Sequence, residues 1–165
     1  AVNAVKSASR PASFIGVERD GRLAVFRSKG NDCCHLILRG GDNGPNYYED
    51  DVEEAKKMME SLSLDPRIII DCSHQNSHKD WRRQKRVLRS VIDQVRWGET
   101  AIKGFMLESN INEGSQKIPE DLSKLQYGVS VTDGCIGWEE TEQIVQHAAE
   151  LIREARRNGG SVEVL

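Results

Sequence analysis

Short apolar runs alternate along the chain with longer segments in which apolar residues recur every three or four positions. The apolar runs predict three buried strands, within residues 34–41 (CHLILRGG), 67–74 (RIIIDCSH) and 101–109 (AIKGFMLES). The periodic segments predict three helices, at residues 49–62, from about 79 to 97 and from about 139 onward. Strands that alternate with helices in this way are typical of parallel strands joined by helical crossovers, which predicts an α/β fold.

Each predicted helix has one apolar face. The first two faces consist of Val52, Ala55, Met59 and Leu62, and of Trp81, Leu88, Val91, Ile92 and Val95. The last helix has acidic residues at its start and basic residues at its end, an arrangement that suits the helix dipole. These residues are Glu139, Glu140 and Glu142, then Arg153, Arg156 and Arg157, and Gly159-Gly160 is expected to stop the helix.

Two further elements precede this alternation. Ala1, Ala4, Val5 and Ala8 follow a helical spacing with no capping residue before them, so we expect a helix whose beginning has been cut away. Residues 13–28 predict a β-hairpin, because apolar residues flank Asp20-Gly21, a strong signal for a tight turn.

Length and charge limit the class of protein. A chain of 165 residues with 38% hydrophobic residues predicts one domain with an ordinary core. A net charge of −3 gives no general attraction to nucleic acid or to anionic membranes. No apolar run is long enough to span a bilayer and no signal peptide is visible, so we expect a cytoplasmic protein without nucleic-acid or membrane partners.

One segment suggests a different class. KDWRRQKRVLR (79–89) holds six basic residues and one acidic residue, a composition also found in nucleic-acid-binding helices. Because the whole chain is acidic, we interpret the segment as the solvated outer face of a helix.

The four cysteines do not follow the spacing of zinc ribbons. Adjacent Cys33 and Cys34 could pair only with strain, so we expect Cys33, Cys34, Cys72 and Cys135 to be reduced thiols.

Polar residues follow each of the three predicted strands. Arg39-Gly40-Gly41, Asp71-Cys72-Ser73-His74 and Glu108-Ser109-Asn110 come where the apolar runs end. Carboxyl ends of parallel strands meet at one edge of a sheet, where ligand sites gather in α/β folds.

The residue types at this edge suit metal and phosphate. His74 and Glu108, with Asp133 from the segment SVTDGCIGW, offer the imidazole and carboxylate donors of a divalent metal site. Arg39, beside two glycines, has the planar fork that matches phosphate oxygens. Each residue alone also has a structural interpretation: His74 as a hydrogen-bonded residue, Glu108 or Asp133 as a helix cap.

Four stretches carry a resemblance to a known family. HLILRGG with PNY (35–47), IIIDCSHQNSHKD (68–80), GFMLESNINEGSQKIP (104–119) and LQYGVSVTDGCIGWEET (125–141) strongly resemble the carboxy-terminal half of type I 3-deoxy-D-arabino-heptulosonate-7-phosphate (DAHP) synthases, with SNINEG most similar to fungal members. The resemblance implies a (β/α)₈ TIM barrel that condenses phosphoenolpyruvate with erythrose 4-phosphate in the shikimate pathway, with a divalent metal (Mn, Fe, Co or Zn) at its mouth. Residues 1–165 would then form one partial barrel domain with a hairpin insertion (13–28) and three βα units (33–157), part of a homo-oligomeric enzyme.

The resemblance also assigns residues. The family's metal ligands fall on His74, Glu108 and Asp133, and an arginine that binds the phosphate of phosphoenolpyruvate falls on Arg39. Asp71 and Lys79 lie nearby in sequence and receive no catalytic role.

One family motif is missing from the sequence. The fourth metal ligand of the family is a cysteine in a Gly-Pro-Cys segment, which this sequence lacks. Cys72 would point away from the site if Asp71 and Ser73 face it, because side chains alternate along a strand. Cys135, two residues from Asp133, is less strongly excluded as a replacement for this ligand. We therefore expect an inactive fragment of a full synthase, or alternatively an incompetent paralogue that acts as a binding or regulatory module.

The hairpin resembles the part of the family that forms the pocket for an inhibitory aromatic amino acid. Phe14, Gly16 and Phe26 fall at or near that pocket, although both phenylalanines could simply pack the hairpin onto a neighbour. Because some relatives carry serine at position 16, the glycine leaves more room for the effector and favours tyrosine over phenylalanine.

Overall fold

The computed structural model describes residues 1–157, which form a mixed α/β structure. In chain order its helices and strands are α1 (Val2–Ala8), β1 (Ala12–Val17), β2 (Leu23–Ser28), β3 (Leu36–Leu38), α2 (Glu49–Ser61), β4 (Ile68–Asp71), α3 (Gln84–Arg96), β5 (Ile102–Met106) and α4 (Trp138–Arg157). Short 3₁₀ helices cover His74–Ser77, Trp81–Arg83 and Leu122–Lys124. The predicted strands are confirmed, and so are the predicted helices at the start of the chain, at residues 49–62 and from about 139 onward. The predicted end of the last helix at Gly159-Gly160 lies outside the described residues.

Strands β1 and β2 form the predicted hairpin. They pair antiparallel, with Phe14 opposite Phe26 and Gly16 opposite Ala24. The connection bends at Gly21, whose φ of 86° lies in the left-handed region that favours glycine.

Strands β3, β4 and β5 form a parallel sheet in that order. Its buried face meets the helices through Leu36, Leu38, Ile68 and Ile70, which are 0 to 8% exposed. The opposite face is open in the described chain, since Ile37 is 42% exposed. Within residues 1–157 the sheet is therefore covered on one side only, and the carboxyl ends of all three strands share one edge.

The helices bury most of the faces that the sequence predicts, except that Trp81 lies before α3 and Leu62 and Val95 are only partly buried. Val52, Ala55 and Met59 of α2 and Leu88, Val91 and Ile92 of α3 are buried in one core with Ile144 and Ala148 of α4. The basic side chains of the 79–89 segment are exposed, and those of Lys85, Arg86 and Arg89 lie on the outer face of α3. Among residues 1–157, no helix is both long and apolar enough to cross a lipid bilayer.

The predicted start of the second long helix is wrong. The sequence pattern placed it near Lys79, but α3 begins at Gln84. His78 and Lys79 adopt left-handed backbone angles, with φ of 54° and 59°, and a right-handed helix cannot pass through such residues. Asp80 then caps the 3₁₀ turn by accepting a hydrogen bond from the amide of Arg82.

All four cysteines are free, as predicted. Cys72 is fully buried in the core, and burial raises the pKa of its thiol to about 12. It therefore remains a protonated thiol at neutral pH.

Candidate metal and phosphate site

The polar residues at the carboxyl ends of β3, β4 and β5 surround a cavity of about 200 Å³. It is lined by Arg39, Ser73, His74, Lys79, Glu108, Asp133 and Gly134. The structure thus brings together all four residues that the sequence singled out for metal and phosphate, although they come from three separate loops.

Asp71 sets the orientation of the His74 ring. Its side chain lies 2.7 Å from Nδ1 of His74 and is almost completely buried. When Nδ1 carries the proton and donates to this carboxylate, Nε2 keeps its lone pair for a ligand. Asp71 has no role that its position in the sequence predicts, yet the structure places it where a metal-binding histidine commonly finds its partner.

Glu108 is fixed through both its backbone and its side chain. The side-chain amide of Gln84 accepts a hydrogen bond from the backbone N–H of Glu108 (2.8 Å) and donates one to its carbonyl (3.0 Å). Ser73 donates from Oγ to Oε2 of Glu108 at 2.5 Å. Oε1 stays directed to His74, with 3.5 Å between it and Nε2.

Asp133 reaches the cavity from the long loop between β5 and α4. Its Oδ2 lies 4.0 Å from Nε2 of His74, and its side chain is 67% exposed. The next residue is glycine, because a Cβ at Gly134 would clash with Cδ1 of Trp81. Trp81 therefore supports the loop that presents Asp133.

The three donor groups fit a divalent ion. One ligand atom each from His74, Glu108 and Asp133 lies within 4.8 Å of the other two. Two donors about 2.0–2.2 Å from one ion are at most about 4.4 Å apart, which both distances from Nε2 of His74 satisfy. The donor set of one imidazole and two carboxylates suits the borderline metals that the sequence predicts. That these residues bind a metal stays a prediction.

Neither buried cysteine joins this cluster. The Cys135 sulfur lies 3.6 Å from the carbonyl oxygen of Asp133, and burial raises the pKa of its thiol. Cys135 is absent from the cluster of donors within residues 1–157, so it does not replace the missing cysteine in this conformation.

Arg39 and Lys79 line the metal-donor cavity and also a second, neighbouring cavity of about 520 Å³. The loop after β3 lies against the loop after β4, because Gly40 has a φ of 74° and a Cβ there would be 2.8 Å from Cβ of Gln75. Glycine thus lets the two loops approach closely beside Arg39.

Two asparagines join these loops. Asn76 donates to the carbonyls of Leu38 (3.0 Å) and Asp71 (2.8 Å) and accepts from the amide of Asn46 (2.8 Å). Asn46 in turn accepts from the amide of Gly40 at 2.6 Å. The position of the Arg39 loop is therefore linked by hydrogen bonds to that of the His74 loop.

We expect Gln84→Ala to weaken Mn²⁺ binding by about ten- to a hundredfold, the usual cost of removing a group that positions a metal ligand. The reason is that Gln84 is fully buried and both of its polar atoms hold the backbone of Glu108. Calorimetric titration measures the affinity, and Gln146→Ala, at an exposed position of α4, is the control. Equal affinity in the two variants would contradict this positioning role.

The hairpin brings Phe14, Gly16 and Phe26 onto one face. The two rings stack with centroids 5.7 Å apart, and both side chains are partly exposed. A Cβ at Gly16 would lie 2.8 Å from Cε2 of Phe26, so the glycine makes room for this ring. An effector pocket and the choice of tyrosine stay predictions, and Gly16 has a packing reason of its own.

Comparisons with known proteins identify relatives over most of the chain. A profile described as the DAHP synthetase I family matches residues 1–146. The Tyr-sensitive phospho-2-dehydro-3-deoxyheptonate aldolase of Escherichia coli (strain K12) is 45% identical over 146 residues, which are 88% of this chain and 41% of that protein. The phenylalanine-inhibited enzyme of Saccharomyces cerevisiae is 44% identical over 163 residues, 95% of this chain and 44% of that protein.

A solved structure shows the same fold. The phospho-2-dehydro-3-deoxyheptonate aldolase from Francisella tularensis SCHU S4 matches with a TM-score of 0.85 and 39% identity, over 93% of this chain and 44% of that one. The chain thus spans less than half the length of these relatives.

Proposed function

Because the chain belongs to the DAHP synthetase I family, we propose that it carries the carboxy-terminal part of a 3-deoxy-7-phosphoheptulonate synthase. This enzyme condenses phosphoenolpyruvate with erythrose 4-phosphate in the first step of the shikimate pathway. The observation that supports the proposal most directly is the convergence of His74, Glu108, Asp133 and Arg39 on one cavity. In this proposal residues 1–165 are one partial domain holding the last three strands of a (β/α)₈ barrel, in a cytoplasmic, homo-oligomeric enzyme.

The residues of the site have different roles in this reaction. His74, Glu108 and Asp133 would hold a divalent ion, which when bound acts as a Lewis acid on the aldehyde of erythrose 4-phosphate. Asp71 keeps Nε2 of His74 free for the ion, and Arg39 binds the phosphate of phosphoenolpyruvate. Holding the two substrates side by side removes much of the entropic part of the barrier to carbon–carbon bond formation.

The site on this chain is one part of a larger one. The family's cysteine ligand has no counterpart among its 165 residues, and the open face of the sheet leaves apolar side chains such as Ile37 uncovered. We propose that the missing ligand and further phosphate-binding residues come from the part of the relatives' length that this chain does not span.

We expect condensation only when the two parts are combined. Loss of phosphoenolpyruvate on addition of erythrose 4-phosphate and Mn²⁺ is measured for the chain alone and for its mixture with the amino-terminal half of the Escherichia coli relative. Activity confined to the mixture supports the split site. Turnover by the chain alone contradicts its dependence on the other half, and inactivity of both favours a non-catalytic binding or regulatory module.

The hairpin is the proposed effector pocket. Relatives are described as Tyr-sensitive and as phenylalanine-inhibited. We propose that Phe14, Gly16 and Phe26 contribute to binding an aromatic amino acid, tyrosine in preference to phenylalanine. Equal inhibition of the active mixture by both amino acids would remove the preference.

A further inference from the structure

Lys79 lies at the boundary between the two cavities of the site. Arg39 and Lys79 are the two residues that line both the cavity with the metal donors and the larger cavity beside it. Arg39 comes from the loop after β3, whereas Lys79 comes from the loop after β4. Two cations from different loops are therefore presented to the same space.

Both cations are free to bind an anion. Elsewhere, Lys56, Lys57 and Lys124 pair with carboxylates. Across residues 1–157, by contrast, neither Arg39 nor Lys79 has a carboxylate within ion-pairing distance. Asp80, the acidic neighbour of Lys79 in sequence, pairs with Arg82 and Arg83 instead.

The backbone holds Lys79 in a costly conformation. His78 and Lys79 both have positive φ, a region where glycine is the default residue, and the amide of Lys79 donates to the carbonyl of His74 at 2.7 Å. Unfavourable backbone angles persist where the surrounding structure enforces them, commonly at binding and catalytic sites. Lysine does not stabilise a turn with these backbone angles better than glycine would. A role for its side chain therefore accounts for the lysine at this position.

The balance of positive and negative charge in the site favours a second cation beside Arg39. A bound divalent ion would balance the two carboxylates of Glu108 and Asp133 and leave little positive charge for substrates. A phosphate monoester carries about −1.5 to −2 charges at neutral pH, and the proposed reaction brings two of them together. Arg39 alone supplies one positive charge, and Asp42 adds a negative one to the second cavity.

We propose that Lys79 contacts substrate, its ammonium group binding a phosphate monoester dianion together with Arg39. This inference rests on the proposed function for the identity of the ligand, which is phosphoenolpyruvate or erythrose 4-phosphate. The lysine acts as a point charge, while the planar guanidinium of Arg39 supplies directed hydrogen bonds.

The first test uses the 165-residue chain and needs no catalysis. Inorganic phosphate is titrated by heteronuclear NMR into the native chain and into Lys79→Met, Lys79→Arg and Lys79→Gly. We expect Lys79→Met to weaken phosphate binding by about tenfold or more, the loss typical of a charge-assisted hydrogen bond, and Lys79→Arg to retain most of the affinity. Lys85→Met, at an exposed lysine of α3, is the matched control and should bind as the native chain does.

The glycine variant separates binding from folding. Lys79→Gly removes the ammonium and also relieves the positive φ, so we expect an equal or higher melting temperature together with weaker phosphate binding. A role confined to the turn predicts unchanged phosphate affinity in this variant, and that result would overturn the proposal. A native chain that does not bind phosphate would overturn it as well.

The second test identifies which substrate Lys79 contacts. In the active mixture with the amino-terminal half, Lys79→Met should raise KM for one phosphorylated substrate by about tenfold or more with a smaller change in kcat. The substrate whose KM rises is the one that Lys79 binds. If no mixture is active, the proposed function fails, while the phosphate titration still decides the role of Lys79.

Discussion

His74→Ala is expected to lower the affinity of the chain for Mn²⁺ by more than about a hundredfold, beyond the usual effect of losing a group that only supports a ligand. The replacement removes the one nitrogen donor of the cluster and leaves the buried carboxylate of Asp71 without its partner. Calorimetric titration measures the affinity, and the active mixture with the amino-terminal half should lose its activity in parallel.

The two carboxylates provide a graded comparison. Glu108→Gln should weaken binding more than Asp133→Asn, because Asp133 is more exposed and lies farther from Nε2 of His74. His147→Ala is the control, since His147 is an exposed residue of α4 away from the cluster. Mn²⁺ binding that survives His74→Ala unchanged would show that the ion binds elsewhere.

Asn76→Ala is expected to lower the free energy of unfolding by about 2–4 kcal/mol, because buried polar groups that lose their partners are costly. Asn76 is 2% exposed, and its amide satisfies the carbonyls of Leu38 and Asp71 and the amide of Asn46. Denaturant unfolding of the 165-residue chain measures the change. Asn3→Ala, at an exposed position of α1, should change the free energy by no more than about 0.5 kcal/mol.

A second replacement tests the same contacts through pH. Asn76→Asp keeps an acceptor for Asn46 but places a carboxylate against two carbonyl oxygens, so it should destabilise the fold at neutral pH. The folded state would raise the pKa of this buried carboxyl, and stability should therefore recover as the pH falls and the group is protonated. If both variants unfold like the native chain, Asn76 does not hold the two loops together.

The sheet could be predicted because its signals are local and strong. The isoleucines at 68–70 and the apolar residues at 36–38 form short apolar runs typical of strands, and their alternation with helical segments implies parallel pairing. The polar residues that follow then had to share one edge. His74 and Glu108 can be found from the sequence for this reason, whereas Asp133, in the long loop before α4, is indicated by its residue type and by the family resemblance.

The supporting residues could not be predicted in the same way. Asp71, Asn76 and Gln84 act through hydrogen bonds to particular backbone or ring atoms, and a residue type does not reveal which atom it will meet. One signal was present for Gln84, which lies on the apolar face of α3, four residues before Leu88 and seven before Val91. A polar residue at such a position must find partners when it is buried. The late start of α3 could not be predicted, because the left-handed backbone angles at positions 78 and 79 usually belong to glycine. Here they are adopted by His78 and Lys79, two residue types that are also common in helices.

Asp71, His74 and Asn76 lie within six consecutive residues, so the contacts that shape this corner of the site are short in sequence. A ligand that is ordered by its own loop retains little conformational freedom for a partner to remove. Association with the rest of a barrel would then cost less entropy here than at Asp133, which is presented by a much longer loop and is mostly exposed. Under this proposal the His74 loop is the preorganised part of the site, and the exposed side chain of Asp133 has more conformational freedom to lose.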